Sequence, residues 1–206
     1  MRKADLIKKI VSGAKLYDQN LNGKHFLFVG RDTSTGTLWW FEVSFTPKNY
    51  AHLAGIAPVN GISSVQLYNA CLDGRLKQTD FRPTNGDIGR KLDMLPELMR
   101  LPWTAKMMGV FNDTGNFLST EKLAGNVRGC MGFVQQKNSV LNIPNTILQD
   151  DIRDRVQRTY QILAVFSKPM QEKLYDPIPI STASFLKGKT IELPDEVMLL
   201  IKHKNA

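Results

Sequence analysis

Proton-transfer chemistry near neutral pH starts with histidine, and this chain has three: His25, His52 and His203. His203 sits in the tail, and His25 opens a strand-like run where a structural role is expected. His52 lies in the segment Asn-Tyr-Ala-His-Leu-Ala-Gly (49–55), a short polar-aromatic turn before Gly55 that would expose its ring. A second concentration of functional types spans 116–133, where Lys122, Asn126 and Arg128 stand among three glycines between apolar runs. Glycines in a strand pattern mark bulges or close approaches, and bare amides beside cations suit an anion such as phosphate. The competing reading is a surface hairpin with solvated charges. Cleavage of RNA by its own 2′-hydroxyl asks for one group to take that proton and another to protonate the leaving oxygen. It also asks for cations to stabilise the phosphorane. A histidine and a few cations meet that need without a metal, whereas a packed His52 would make the residue structural.

Other chemistries find less support. There is no His-Glu-x-x-His, no paired-cysteine motif and no phosphate-loop or dinucleotide glycine pattern. Asp150 and Asp154 would share a face of a short helix over 146–156 and could hold Mg²⁺. The interleaved Arg153, Arg155 and Arg158 favour a salt-bridged helix instead. Cys71 and Cys130 lie among apolar residues and read as reduced core side chains. No metal and no cofactor are therefore expected. The formal charge of +8, with 27 basic and 19 acidic residues, favours an anionic partner, nucleic acid first. The longest apolar runs are too short to cross a membrane. The Lys-rich amphipathic start lacks a cleavage site, so a cytoplasmic protein is expected.

The elements that must position these residues follow from periodicity. Leu6, Ile7, Ile10, Val11, Ala14 and Tyr17 predict a helix over 3–19, stopped by Asn22-Gly23. Residues 25–29 and 37–45 predict a hairpin. Its adjacent Trp39 and Trp40 must face opposite sides, and one of them lies outside the main core. A helix over 64–72 carries a Ser63/Gln66 capping box, 78–91 reads as a loop or weak hairpin, and Asp93 caps a short helix over 94–101. From Lys106 onward short strands are expected at 107–111, 117–119, 128–135, 140–143 and 160–166. A Pro-punctuated tail ends in a small helix or strand over 194–204. The prediction is an α+β fold: N-terminal helices and a hairpin, then a four- or five-stranded antiparallel sheet. Residues 1–170 would form the domain, with 171–206 an extension packed on it.

Five ordered motifs carry a resemblance. They are residues 49–55, Leu-Pro-Glu-Leu-Met (95–99), Lys-Met-Met-Gly-Val-Phe-Asn (106–112), Lys-Leu-Ala-Gly-Asn-Val-Arg-Gly-Cys-Met-Gly-Phe (122–133) and Ile-Pro-Asn-Thr-Ile-Leu-Gln-Asp-Asp-Ile-Arg (143–153). Together they resemble the fourth family of phage Barnase–EndoU–colicin–RelE-like nucleases, found in phages and mobile elements of Firmicutes. The similarity spans roughly 3–168. It implies that fold and a metal-independent ribonuclease activity. On the matching motifs His52 is the family's histidine and the general base or acid, and Lys122 and Arg128 are its basic positions. Asn145 and Thr146 form the Pro-Asn-Thr corner that positions ribose or phosphate. Thr146 joins the catalytic set, and Asn126, Asn145, Ser167 and Lys168 are expected to bind RNA. Where the family has His-Leu-Thr-Gly this chain has Ala54, which removes a hydroxyl. That difference, and the lack of a second convincing histidine, leave two rivals: a nucleic-acid binder without chemistry, and an interaction protein that engages a host or immunity partner.

Overall fold

The computed structural model describes residues 3–84, 88–112, 118–186, 189 and 191–202. Helix α1 (Lys3–Asn20) buries Ile10, Ala14 and Tyr17 on one face, as its spacing predicts. The hairpin follows as β1 (Lys24–Asp32) and β2 (Leu38–Phe45), closed by the Asp32 carboxylate, which accepts from the amides of Ser34 and Thr35. It does not stand apart from the later strands. After α2 (Pro47–Leu53), β3 (Ile56–Pro58), α3 (Ser64–Leu72), β4 (Phe81–Pro83), α4 (Ile88–Leu98) and α5 (Leu101–Thr104) come six more strands. They are β5 (Met107–Val110), β6 (Lys122–Gly125), β7 (Cys130–Gln135), β8 (Asn142–Leu148), β9 (Tyr160–Pro169) and β10 (Ser181–Thr182), before α6 (Asp195–Met198).

The main sheet has eight strands in the order β1-β2-β8-β7-β6-β5-β9-β10, and β1 also pairs along its length with β9. The pairings therefore close into a ring. One junction, Val43 against Asn142, is parallel. The α+β class holds, but the expected four or five antiparallel strands become a larger mixed sheet that includes the hairpin. The cause is long-range: β1 meets a strand from the far end of the sequence, which no local periodicity reports. Strands β3 and β4 form a separate pair.

Alternation on β1 explains two cores. Phe26 and Phe28 face the helices, with Phe41, Phe45, Tyr50 and Phe133, while Leu27 and Val29 face outward with Ala164 and Phe166. Tyr175, Val197 and Ile201 from the C-terminal stretch cover that outer face. Trp39 packs on the main core and Trp40 on the outer one.

Several local expectations need correction. Residues 47–53 are a helix, not a turn: Pro47 pre-sets the first position, and the Asn49 side chain accepts from the Thr46 amide. The helix expected at 94–101 starts at Ile88, so Asp93 does not cap it and Pro96 lies inside. The buried Leu92, Leu95 and Leu98 stripe holds this helix together. Residues 146–156 are not a helix, because β8 runs to Leu148 and only a single 3₁₀ turn, Ile152–Asp154, follows. The insert holding Lys122 is itself a strand, whereas 118–119 are not; Phe117 lies outside the described residues. The Ser63/Gln66 capping box is present.

Candidate active site

Packing uses up most of the circumference of α2, where Tyr50, Ala51 and Leu53 are buried. His52 on the remaining face is exposed, as the sequence suggested, though on a helix. Partial burial holds its pKa below the ordinary value, and the nearby Lys91 ammonium lowers it further. A hydrogen bond with the Asn145 backbone works the other way. The imidazole is thus biased toward its neutral, proton-accepting form. Lys91 projects from the first half of α4, half-buried, and desolvation lowers its own pKa. Its stem runs over Gly55, where a Cβ would stand 3.1 Å from the Lys91 Cδ. Gly55 also has φ +71°, a backbone conformation that side chains resist. The glycine of the His-Leu-Ala-Gly motif thereby lets the chain turn after α2 and lets Lys91 pass.

Asn145 owes its position to an irregularity in β8. Phe133 pairs with Pro144 and Gly132 with Thr146, so Asn145 is the extra residue of a bulge. Its amide donates to the Ser119 carbonyl, and the Thr120 hydroxyl donates to its side-chain oxygen at 3.1 Å. Around Gly132 there is no room for a side chain: a Cβ would lie 2.6 Å from the Thr146 methyl and 2.7 Å from the Thr120 methyl. Thr146 and Thr120 are both buried. The structure thus brings His52, Lys91 and Asn145 together, with Ser119 and Thr120 behind Asn145.

The other residues singled out from the sequence fall elsewhere. Lys122 donates to the Asn142 side chain at 2.8 Å and lies 3.6 Å from the Glu121 carboxylate. Asn142 is three residues from Asn145, about 10 Å along a strand. Asn126 donates to Glu97 at 2.7 Å and accepts from the Arg128 amide, while the Arg128 guanidinium stays 78% open with Glu97 at 3.8 Å. Ser167 and Lys168, as neighbours on β9, point to opposite sides. Lys168 joins the outer face, 4.3 Å over the Tyr175 ring, and donates to the Lys173 carbonyl. His25 is buried beside it with an unpartnered Nδ1. His203 lies outside the described residues.

Metal and thiol chemistry have little to build on here. Asp150 pairs with Arg155 and Asp151 with Arg153. Among the described residues no group of three or more His, Cys, Asp or Glu side chains converges. Burial pushes both the Cys71 and the Cys130 thiols up to about 12, so neither is a ready nucleophile. Lys91 is the candidate residue beside His52 that the sequence did not single out, because 78–91 read as a loop or weak hairpin. The helical spacing of Ile88, Leu92 and Leu95 was the signal that would have placed it on a helix.

A family model described as phage-Barnase-EndoU-ColicinE5/D-RelE like nuclease4 matches residues 9–182. No curated protein and no solved structure matches the chain. No helix among the described residues is long and apolar enough to cross a membrane.

Proposed function

We propose that this chain, which belongs to the phage-Barnase-EndoU-ColicinE5/D-RelE like nuclease4 family, cuts RNA by acid/base transesterification at His52. Membership supports a nuclease of that type. RNA as the substrate, the absence of a metal requirement and the residue roles are our reading. The observation that carries it is the exposed His52 ring, biased to its neutral form beside Lys91 and tied to the Asn145 backbone. In that form His52 takes the 2′ proton. Lys91 meets the charge that develops on the phosphorane, and the bulged Asn145 orients the phosphate or ribose. Thr146 is the packing partner that fixes the bulge, and Arg128, farther off, is an open cation for a neighbouring phosphate, while Lys122 and Asn126 are held by Asn142 and Glu97.

The missing hydroxyl at position 54 weighs less than the sequence suggests. Ala54 caps α2 and is fully buried, so a threonine there would direct its hydroxyl into the core rather than at substrate. The test is cleavage of RNA in EDTA with end mapping, comparing the unaltered chain with His52→Ala. We expect cleavage to persist under chelation and to fall roughly 10²–10⁴-fold in the variant, with RNA affinity kept. Cleavage that is lost in EDTA and restored by Mg²⁺, or a fully active His52→Ala protein, would overturn the assignment.

A further inference from the structure

We infer that Trp103, with Arg128 and Arg100, forms a stacking subsite for an unpaired base next to the cleaved bond. This rests on the nucleic-acid reading of the His52 site and specifies its substrate as single-stranded there. Trp103 lies on α5, whose neighbours Leu101 and Pro102 are buried, yet it remains 38% exposed. A large aromatic left partly open on a short helix that Leu101 and Pro102 already anchor offers part of its ring to a ligand.

Its surroundings are cationic. The backbone of 100–106 runs against the 125–128 turn. The Asn126 side chain reaches the Thr104 carbonyl at 3.4 Å, and the Lys106 amide donates to the Gly125 carbonyl at 2.8 Å. Arg100, Lys106 and Arg128 are all exposed on these two segments, and Val127 is 54% exposed at the tip of the turn. Of the acidic side chains near this turn, Glu97 is engaged by Asn126 and Arg128, and Asp151, brought in by the Ile152 amide on the Asn126 carbonyl, is engaged by Arg153. An open aromatic face among backbone-seeking cations is how sequence-tolerant single-strand binding is built: the ring takes the base and the cations take the phosphates.

The position along the molecule fits. Helix α4 carries Lys91 near its start and Glu97 near its end, six residues or about 9 Å of rise. Between them Met94 abuts Gly129, where a Cβ would meet its Cε at 2.3 Å. The strand pair β7–β8 covers the same interval, from Gly132 and Asn145 to Gly129 and Leu148, about 10 Å. The 125–128 turn, against which the 100–106 backbone runs, therefore lies about 10 Å along α4 and the sheet from the level of Lys91 and Asn145, a span of one or two nucleotides.

The experiment is binding of a short single-stranded oligoribonucleotide whose 2′-hydroxyls are methylated, so that it cannot be cut. It is read by quenching of tryptophan fluorescence and by titration at several salt concentrations. Trp103→Ala should weaken binding roughly 5- to 150-fold with the salt slope unchanged. Trp103→Leu, which keeps apolar bulk but no ring face, should lose nearly as much. Trp103→Phe should bind within a few-fold of the unaltered chain while losing most of the quench. Arg128→Ala should instead lower the salt slope by about one phosphate. If the unaltered chain binds and cleaves but Trp103→Ala is indistinguishable from it, the subsite is refuted and the nuclease reading stands. If the unaltered chain binds no nucleic acid at all, both fall.

Discussion

Replacing Asn145 separates a bulge that only shapes the sheet from one that serves His52. Asn145→Ala removes two side-chain hydrogen bonds, to the Ser119 carbonyl and from the Thr120 hydroxyl. At about 0.5–1.5 kcal/mol net for each, the loss is about 1–3 kcal/mol. For a chain of this size that lowers Tm by roughly 2–12 °C, which leaves a folded protein to assay. Loosening the bulge also misplaces the phosphate relative to His52, and a displacement of that kind costs about 10²-fold in rate. Asn145→Asp adds a charge argument to the geometric one. Its carboxylate cannot donate to the Ser119 carbonyl, and it puts a negative charge beside His52, which favours the imidazolium. A general base works only when unprotonated, so the acid limb of the pH–rate profile should move to higher pH in Asn145→Asp. In Asn145→Ala that limb should keep its position while the plateau falls. The assay is single-turnover cleavage across pH 5–8, with melting curves on the same samples. Two variants that lose stability as expected while keeping the unaltered rate and pH profile would refute the role we give this bulge.

Three further outcomes follow from the same geometry. Lys91→Met should move the acid limb to higher pH, because one of the groups that lower the His52 pKa is gone. It should also cut the plateau rate by about 10²–10³-fold, as loss of a transition-state cation does; an unmoved limb in the pH profile would disconnect the two residues. Ala54→Thr buries a hydroxyl in a fully enclosed position, so denaturant melts should show a loss of about 1–3 kcal/mol. Its cleavage rate should not rise, and a gain would mean that this position does face substrate. Burial, and then Lys168, lower the His25 pKa against the opposing pull of Glu42. The unfolded chain therefore takes up that proton near pH 6.5 before the folded one does. Stability should be intact above that pH and decline below it, and Tm measured from pH 7 to 5 should lose part of this slope in His25→Leu.

The fold was legible wherever burial has a short period. The α1 stripe, the aromatic hairpin with its two-sided tryptophans, and the apolar runs of β5, β7 and β9 each announce themselves within about ten residues. What stayed hidden depends on partners far away in the chain. Nothing local marks β1 as the strand that meets β9 and closes the ring. Nothing local distinguishes Lys122–Gly125 as strand from insert either, since its evidence is the register with Met107–Val110 and Cys130–Phe133. The stretch 146–156 misled for a physical reason. Alternating Asp and Arg suits a helix face, but Asp151 instead caps a 3₁₀ turn, accepting from the Arg153 amide, after a strand that its apolar Ile147 and Leu148 prolong.

The candidate site was half legible in a way that bears on charge. His52 and Asn145 could be named from their motifs, but a count of cations says nothing about which of them remain free to meet a phosphate. Lys122 is committed to Asn142 and faces Glu121, and Lys168 is engaged by a carbonyl and the Tyr175 ring on the other side of the sheet. Arg128 keeps most of its guanidinium in solvent, and Lys91 is held half-buried against Gly55 beside the histidine. An ammonium that is partly desolvated acts on a developing charge more strongly than one in open water, where screening weakens it. On that ground we propose that Lys91 meets the developing charge and Arg128 guides the strand. The two should separate experimentally, with Lys91 variants losing rate and Arg128 variants losing salt-dependent affinity.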